Sequence, residues 1–389
     1  MTAPRRRPSP PWARRASGLM HDLRGGVRLA VDGMHGLIAL VETVHQRVAD
    51  LRPPVRAGVG RPSSGVAAVV YRGLRGTADL LGGGLDLALA STQAALQDPW
   101  HERDAPPPLA SREALVAALN AVAGDHLHHT DNPLATATSL RVEGTPRPRV
   151  VVLVHDLGLN DLQWRQGSRD FGAALATGLD ASVVYVRYNT GRAVWSTARE
   201  LVAELEALLS SWREPLQRVA LVGHGLGGLV VRSALHQGLR SGRAWPAHIG
   251  QLVFLGTPHA GTHGQGWRLE GLGATGRSLA SNAVLGLAAL ARRESVGMAD
   301  FATGNLLEHD PRTGQPLRPD PLPTVVRAYA VAGAADGLVP VASALGHHDE
   351  PDRALQLPET RQWIAEGVDH LGLLASDAVL RRVQDWLAA

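Results

Sequence analysis

The chain contains no cysteine and no lysine among its 389 residues. The first absence excludes disulfides, thiol catalysis and cysteine-ligated metal sites, and it fits a cytoplasmic protein. The second leaves every basic side chain other than histidine as arginine. The formal charge of +3 is too small to argue for nucleic acid, because an electrostatic footprint needs a concentrated basic face. Basic residues concentrate only at Arg5-Arg6-Arg7 with Arg14 and Arg15. That run reads as a solvated tail over 1–16, with an acidic lipid or a partner as the alternative contact. No stretch reaches the roughly 18 consecutive apolar residues of a membrane span. Arg24 and two glycines arrive before the about 7–15 apolar residues of a secretory signal can form.

What is present is ordinary for a globular protein: 44% hydrophobic and 19% charged residues, with 43 Gly and 25 Pro to supply turns. Residues 17–140 read as a helical N-terminal region. Val27, Val31, Met34, Leu37, Ile38 and Val41 recur at helical spacing, as do Val70, Leu74, Ala78 and Leu81. A third helix starts at Ser111, with Pro-rich linkers separating the segments. Such stripes pack against a main domain, or serve as a lid or an interfacial anchor giving peripheral membrane contact.

From residue 148 to 389 the pattern changes to alternation. PRVVVLVH, SVVYVRY, RVALVGH, IGQLVFLG and VVRAYAVAG are strand-like runs with helical segments between them. The expectation is an α/β fold, a doubly wound and mostly parallel sheet. Residues 262–310 interrupt the alternation and read as a lid-like insertion over the pocket.

The chemistry centres on Gly223-His224-Gly225-Leu226-Gly227, where the strand RVALVGH runs into a helix. This is the context of the nucleophile elbow G-x-S-x-G, with Gly225 in the serine's place. Gly223 to Gly228 also satisfies the phosphate-binding pattern G-x-G-x-x-G. That match is weak: it falls at the third strand, and the following strand ends without the acidic residue that would hold a ribose. A glycine turn without chemistry is the remaining alternative. Asp336 follows VVRAYAVAG and His370 precedes the last helix, the chain order nucleophile, acid, base.

The segments VVLVHDLGLNDLQW, RYNTGR, LVGHGLGGLVVRSAL, FLGTPHAG, DGLVPVASALG and DHLGLL span nearly all of 148–389. In them the chain resembles the α/β-hydrolase superfamily, and within it the bacterial lipase/esterase-like hydrolases with a helical N-terminal extension. The resemblance implies cleavage of an ester or lipid-like small molecule through an acyl-enzyme, without cofactor or metal. It makes His370 the base, Asp336 its orienter, and Gly225 the nucleophile position. Leu226 would donate one oxyanion-hole N–H, and the backbone at Asp156-Leu157 the other.

Two departures stand out. Gly225 cannot attack, and the family's first strand typically ends in His-Gly, whereas here it ends in His155-Asp156. An acidic side chain beside a site built for negative charge is unhelpful unless it points away. The expectation is therefore little or no serine-type ester hydrolysis. A non-catalytic pseudoenzyme binding an acyl ligand or a protein partner is the alternative, and a water molecule in the space vacated at Gly225 a third reading. His155, His224 and His259 read as packing residues. His126, His128 and His129 read as a solvated helix end, because their spacing does not gather them on one helical face.

Overall fold

The computed structural model describes residues 21–29, 110–166, 169–262, 295–310, 312–314, 317, 319–348 and 350–389. The tail 1–16, most of the expected N-terminal helices and residues 263–294 of the expected insertion lie outside the described residues.

The strands are β1 (Ser139–Glu143), β2 (Arg149–Val154), a short hairpin of β3 (Arg165–Gln166) and β4 (Arg169–Asp170), β5 (Ser182–Arg187), β6 (Arg218–His224), β7 (Ile249–Leu255), β8 (Arg327–Gly333) and β9 (Gln362–Ala365). Seven of them form one sheet in the order β1-β5-β2-β6-β7-β8-β9. β1 runs antiparallel to β5, and each remaining pair is parallel.

β2 reads RVVVLV and is buried from its second residue onward. Such an unbroken β-branched run suits a strand covered on both faces. The two-residue period sorts its side chains. Val150, Val152 and Val154 join Val219, Leu221, Leu252 and Phe254 in one core. Val151 and Leu153 join Ala220, Val222, Val253 and Leu255 in the other. Helices α4 (Val194–Ser210) and α5 (Leu226–Arg240) cover the first face through Leu201, Leu205, Leu229 and Val230. Helices α3 (Phe171–Leu179) and α7 (Asp377–Ala388) cover the second through Leu175, Leu179, Val379 and Val383. The doubly wound, mostly parallel sheet expected from the alternation is what forms.

Helix α2 (Ala110–His129) starts one residue before Ser111 and kinks at Ala123. Its part up to His126 belongs to the same compact unit as the sheet. There Arg187 of β5 pairs with Glu113 of α2 and, at 2.6 Å, with Asp161. Both carboxylates are buried. Helix α6 (Val296–Thr303) supplies Asp300, whose Oδ2 accepts the Val194 N–H at 2.8 Å. That bond satisfies the first amide of α4, whose own N-cap residue Ala193 has no side-chain acceptor.

A second unit contains helix α1 (21–29) and residues 127–135. Asn132 Nδ2 donates to Gly25 O at 3.1 Å, and Arg28 Nη1 to Asp131 O at 2.9 Å. Among the described residues, no helix is long and apolar enough to cross a membrane.

In the parallel part of the sheet the chain moves outward from β2 to β5, then returns past β2 to β6. Ligands of open α/β sheets bind at such reversals, beyond the carboxyl ends of the strands. Asp156 follows β2 there, and Gly225 follows β6.

Candidate functional site

The turn from β6 into α5 is built from glycines because other chain elements press on it. A Cβ on Gly227 would lie 2.2 Å from Val154 O. Gly225 has φ 51° and ψ −120°, a backbone setting that L side chains rarely adopt. Its N–H donates to Leu255 O at 2.9 Å, tying the turn to the end of β7. The geometry is that of an elbow with no side chain on it.

The place beside Gly225 is filled from the neighbouring strand. A Cβ built on Gly225 would lie 1.9 Å from Asp156 Oδ1 and 2.2 Å from Cγ. Asp156 therefore points into the site, and the carboxylate occupies the space that the sequence offered to a water molecule. Its Oδ1 accepts the Leu226 N–H at 2.6 Å. Its Oδ2 accepts from His370 Nε2 at 2.9 Å. The expected oxyanion-hole donor Leu226 is thus already engaged by a carboxylate of the protein. A helix N-terminus favours an anion, and here the chain supplies its own, where the alternative loop reading would put a phosphate.

The expected second donor also has a different partner. Asp156 N–H donates to Gln163 Oε1 at 3.2 Å, while Gln163 Nε2 donates to His224 Nδ1 at 3.1 Å. Gln163 sits on a single 3-10 turn, Asp161–Trp164, capped by Asn160, and is buried. Leu157 lies at the same corner with its side chain buried.

Asp336 and His370, far apart in sequence, meet as the chain order predicts. His370 Nδ1 donates to Asp336 Oδ2 at 2.6 Å. Asp336 Oδ1 accepts from Leu338 N–H at 2.9 Å and Val339 N–H at 2.8 Å, so the loop after β8 fixes the carboxylate. His224 Nε2 donates to His370 O at 3.0 Å, which holds the histidine's backbone. The rings of His224 and His370 lie 4.7 Å apart.

Charge follows from these contacts. Burial opposes protonation of His370, but the hydrogen bonds and charges of Asp156 and Asp336 outweigh it and raise its pKa to about 10. Burial likewise works against ionised Asp156, and His370, His224 and the Leu226 N–H overcome it, holding the carboxyl below its usual value. At neutral pH Asp156 is a carboxylate and His370 an imidazolium. Burial, helped by the His370 charge, pushes His224 down to about 4, so His224 is neutral. His155 also falls to about 4 through burial. It accepts from Tyr188 N–H at 3.3 Å, donates to Asp156 O at 3.0 Å and stacks on the Tyr188 ring.

Asp156, His224 and His370 bring metal-type ligand atoms within 4.8 Å of one another. Hydrogen bonds within the protein already engage both nitrogens of His224 and both of His370. His126, His128 and His129 are exposed. Sequence reasoning did not single out Gln163 or Tyr188. A lone glutamine in LNDLQW has no spacing to mark it, and Tyr188 reads as the end of a strand.

The sequence profile of the PGAP1-like alpha/beta domain family matches residues 189–265, which include α4, the elbow and the start of the expected insertion. No curated protein matches the sequence. Similar solved structures include a mature Bacillus licheniformis lipase, at 15% identity and TM-score 0.40 over 64% of this chain and 98% of that one. An esterase of Pyrobaculum calidifontis gives 14% and 0.41, over 65% and 82%. A Paleococcus ferrophilus monoacylglycerol lipase gives 17% and 0.39, over 64% and 98%. The strand order with its antiparallel first strand and the elbow after β6 are those of the α/β-hydrolase fold, and the profile match falls within it at residues 189–265.

Proposed function

We propose that this chain is a lipase/esterase-like member of the superfamily in which serine-type ester hydrolysis is shut off, leaving a pseudoenzyme toward that reaction. The observation that carries the reading is the Asp156 carboxylate, held at once by Leu226 N–H and His370 Nε2. Three requirements of the serine mechanism fail together. There is no hydroxyl at Gly225, the oxyanion donor is engaged, and His370 is an imidazolium rather than a base. The ligand class remains an ester or lipid-like small molecule, or a protein partner.

The test is hydrolysis of p-nitrophenyl esters by the wild type and by Gly225→Ser, Asp156→Gly and the double variant. The wild type and both single variants stay inert, and the double variant turns over. Wild-type turnover that disappears in His370→Ala, or a double variant that is folded and inert, would sink the reading.

One observation favours a second reading, in which the carboxylate is a nucleophile rather than a plug. Leu226 N–H points at the oxygen of Asp156 itself. It would therefore stabilise a tetrahedral intermediate formed on Asp156 Cγ rather than on a substrate carbonyl. For an epoxide, Asp156 attacks carbon, the ring C–O bond breaks, and the freed oxygen takes the Nε2 proton of His370. Neutral His370 then deprotonates water, which adds to Cγ. The adduct collapses to the diol and the carboxylate, the diol oxygen taking the carboxyl proton. A turnover in ¹⁸O-water must leave label in the Asp156 carboxyl group. Unlabelled Asp156, or no diol, leaves the plug.

A further inference from the structure

Asp156 and His370 are joined twice. The direct contact is the hydrogen bond from His370 Nε2 to Asp156 Oδ2 at 2.9 Å. The second route runs through two buried side chains, Gln163 and His224. Asp156 N–H donates to Gln163 Oε1 at 3.2 Å, Gln163 Nε2 donates to His224 Nδ1 at 3.1 Å, and His224 Nε2 donates to His370 O at 3.0 Å.

The two ends of this relay fix the direction of every bond in it. The Asp156 amide can only donate, so the Gln163 oxygen faces it and the Gln163 NH2 group faces His224. The His370 carbonyl can only accept, so His224 carries its proton on Nε2 and leaves Nδ1 as an acceptor. No other placement of the protons satisfies all three bonds. An ionised glutamate at 163 would have no proton to give His224, and a second proton on His224 would collide with the Gln163 NH2 group. Burial and the charge of His370 keep His224 neutral against the pull of Asp156 and Asp336.

Gln163 is itself anchored on both sides. Asp161, two residues earlier, binds Arg187 at 2.6 Å and Arg141 at 3.0 Å. Trp164, the next residue, is fully buried and packs on Phe171. The other peptide of Asp156 is held as well, since its carbonyl accepts from His155 Nδ1 at 3.0 Å. The main chain at 156 is therefore gripped on both sides of the residue whose carboxylate meets Leu226 N–H and His370.

We propose that Gln163 and His224 are positioning residues for the Asp156–His370 pair, the relay from amide to carbonyl setting the separation at which carboxylate and imidazolium meet. The inference rests on the placement of Asp156, which the plug and nucleophile readings share. Its test reads protons on histidines instead of turnover, so its failure leaves either reading standing.

Nitrogen-15 NMR of the histidine-labelled full chain is that test. In the wild type at about pH 7, His224 carries its proton on Nε2 and His370 carries protons on both nitrogens. Gln163→Met removes the amide at similar side-chain length, and the proton affinity of His370 falls about tenfold or more. The groups facing His370 are Asp156 after β2, Asp336 after β8 and neutral His224 at the end of β6. All three remain in that variant, so the fall reports their spacing and not a lost charge. Should Gln163→Met fail to fold, Gln163→Glu takes its place. Its carboxylate accepts from Asp156 N–H and draws a second proton onto His224 Nδ1 at about pH 7. The proposal is overturned by a wild-type His224 protonated on Nδ1, by unchanged titration of His370 in folded Gln163→Met, or by His224 staying neutral in Gln163→Glu.

Discussion

Asp156 and Gly225 are a matched pair: the carboxylate of one stands 1.9 Å from where a Cβ of the other would be. Neither position can be understood alone. The glycine is there for the aspartate as much as for the turn, and restoring a serine without removing the carboxylate creates a collision rather than a nucleophile.

Gly225→Ser alone is therefore expected to destabilise the protein. Overpacking and a side chain at positive φ each cost on the order of 1–3 kcal/mol. Urea unfolding of the wild type, the two single variants and the double variant measures this. The double variant with Asp156→Gly recovers the packing part of that loss, a non-additive cycle. Independent, additive effects of the two substitutions would contradict the pairing.

The imidazolium of His370 predicts an alkaline limb. His370 is raised from 6.5 to about 10 by its two carboxylates, so the folded state binds its proton more tightly than the unfolded state. The resulting stability is full below about pH 6.5 and is lost as pH rises through about 10. Asp156 is lowered, and its contribution, present above its unfolded pKa, is lost on acidification below that value. Urea midpoints from about pH 6 to 10 should fall for the wild type and fall much less for His370→Gln. Parallel curves would refute the assignment of the limb to His370.

Arg187→Met is expected to cost about 3 kcal/mol, because it leaves the buried carboxylates of Glu113 and Asp161 without their shared cation. Arg141, at 3.0 Å from Asp161, limits the damage on that side. Burial works against ionised Asp161, and Arg187 with Arg141 overcomes it and holds the carboxyl below its usual value, so the loss should shrink at acid pH, where Asp161 protonates in the variant that lacks Arg187. A loss that stays constant from about pH 7 to pH 4 would point to packing instead.

The parallel strands were legible because burial on both faces demands unbroken apolar runs such as VVVLV, bounded by turn residues. β1 was not legible. It is an edge strand whose Arg141 and Glu143 pair with each other, and its Leu140 and Val142 are only partly buried, so the alternation is too short to stand out. The meeting of Asp336 with His370 followed from chain order. The orientation of Asp156 did not, since a carboxylate beside an oxyanion site is expected to be repelled. The imidazolium and the amide of Leu226 reverse that expectation, because together they make the same spot attractive to a carboxylate.

The pairing at the elbow also constrains the order in which its two residues could have been acquired. If the site descends from one bearing serine there and glycine after β2, the change to Gly225 first passes through a merely hollow site, whereas the change to Asp156 first passes through a clash. Loss of the hydroxyl would come before arrival of the carboxylate. An inert, uncrowded ancestor with glycine at both positions is then the natural intermediate, and reconstructing it would test this history directly.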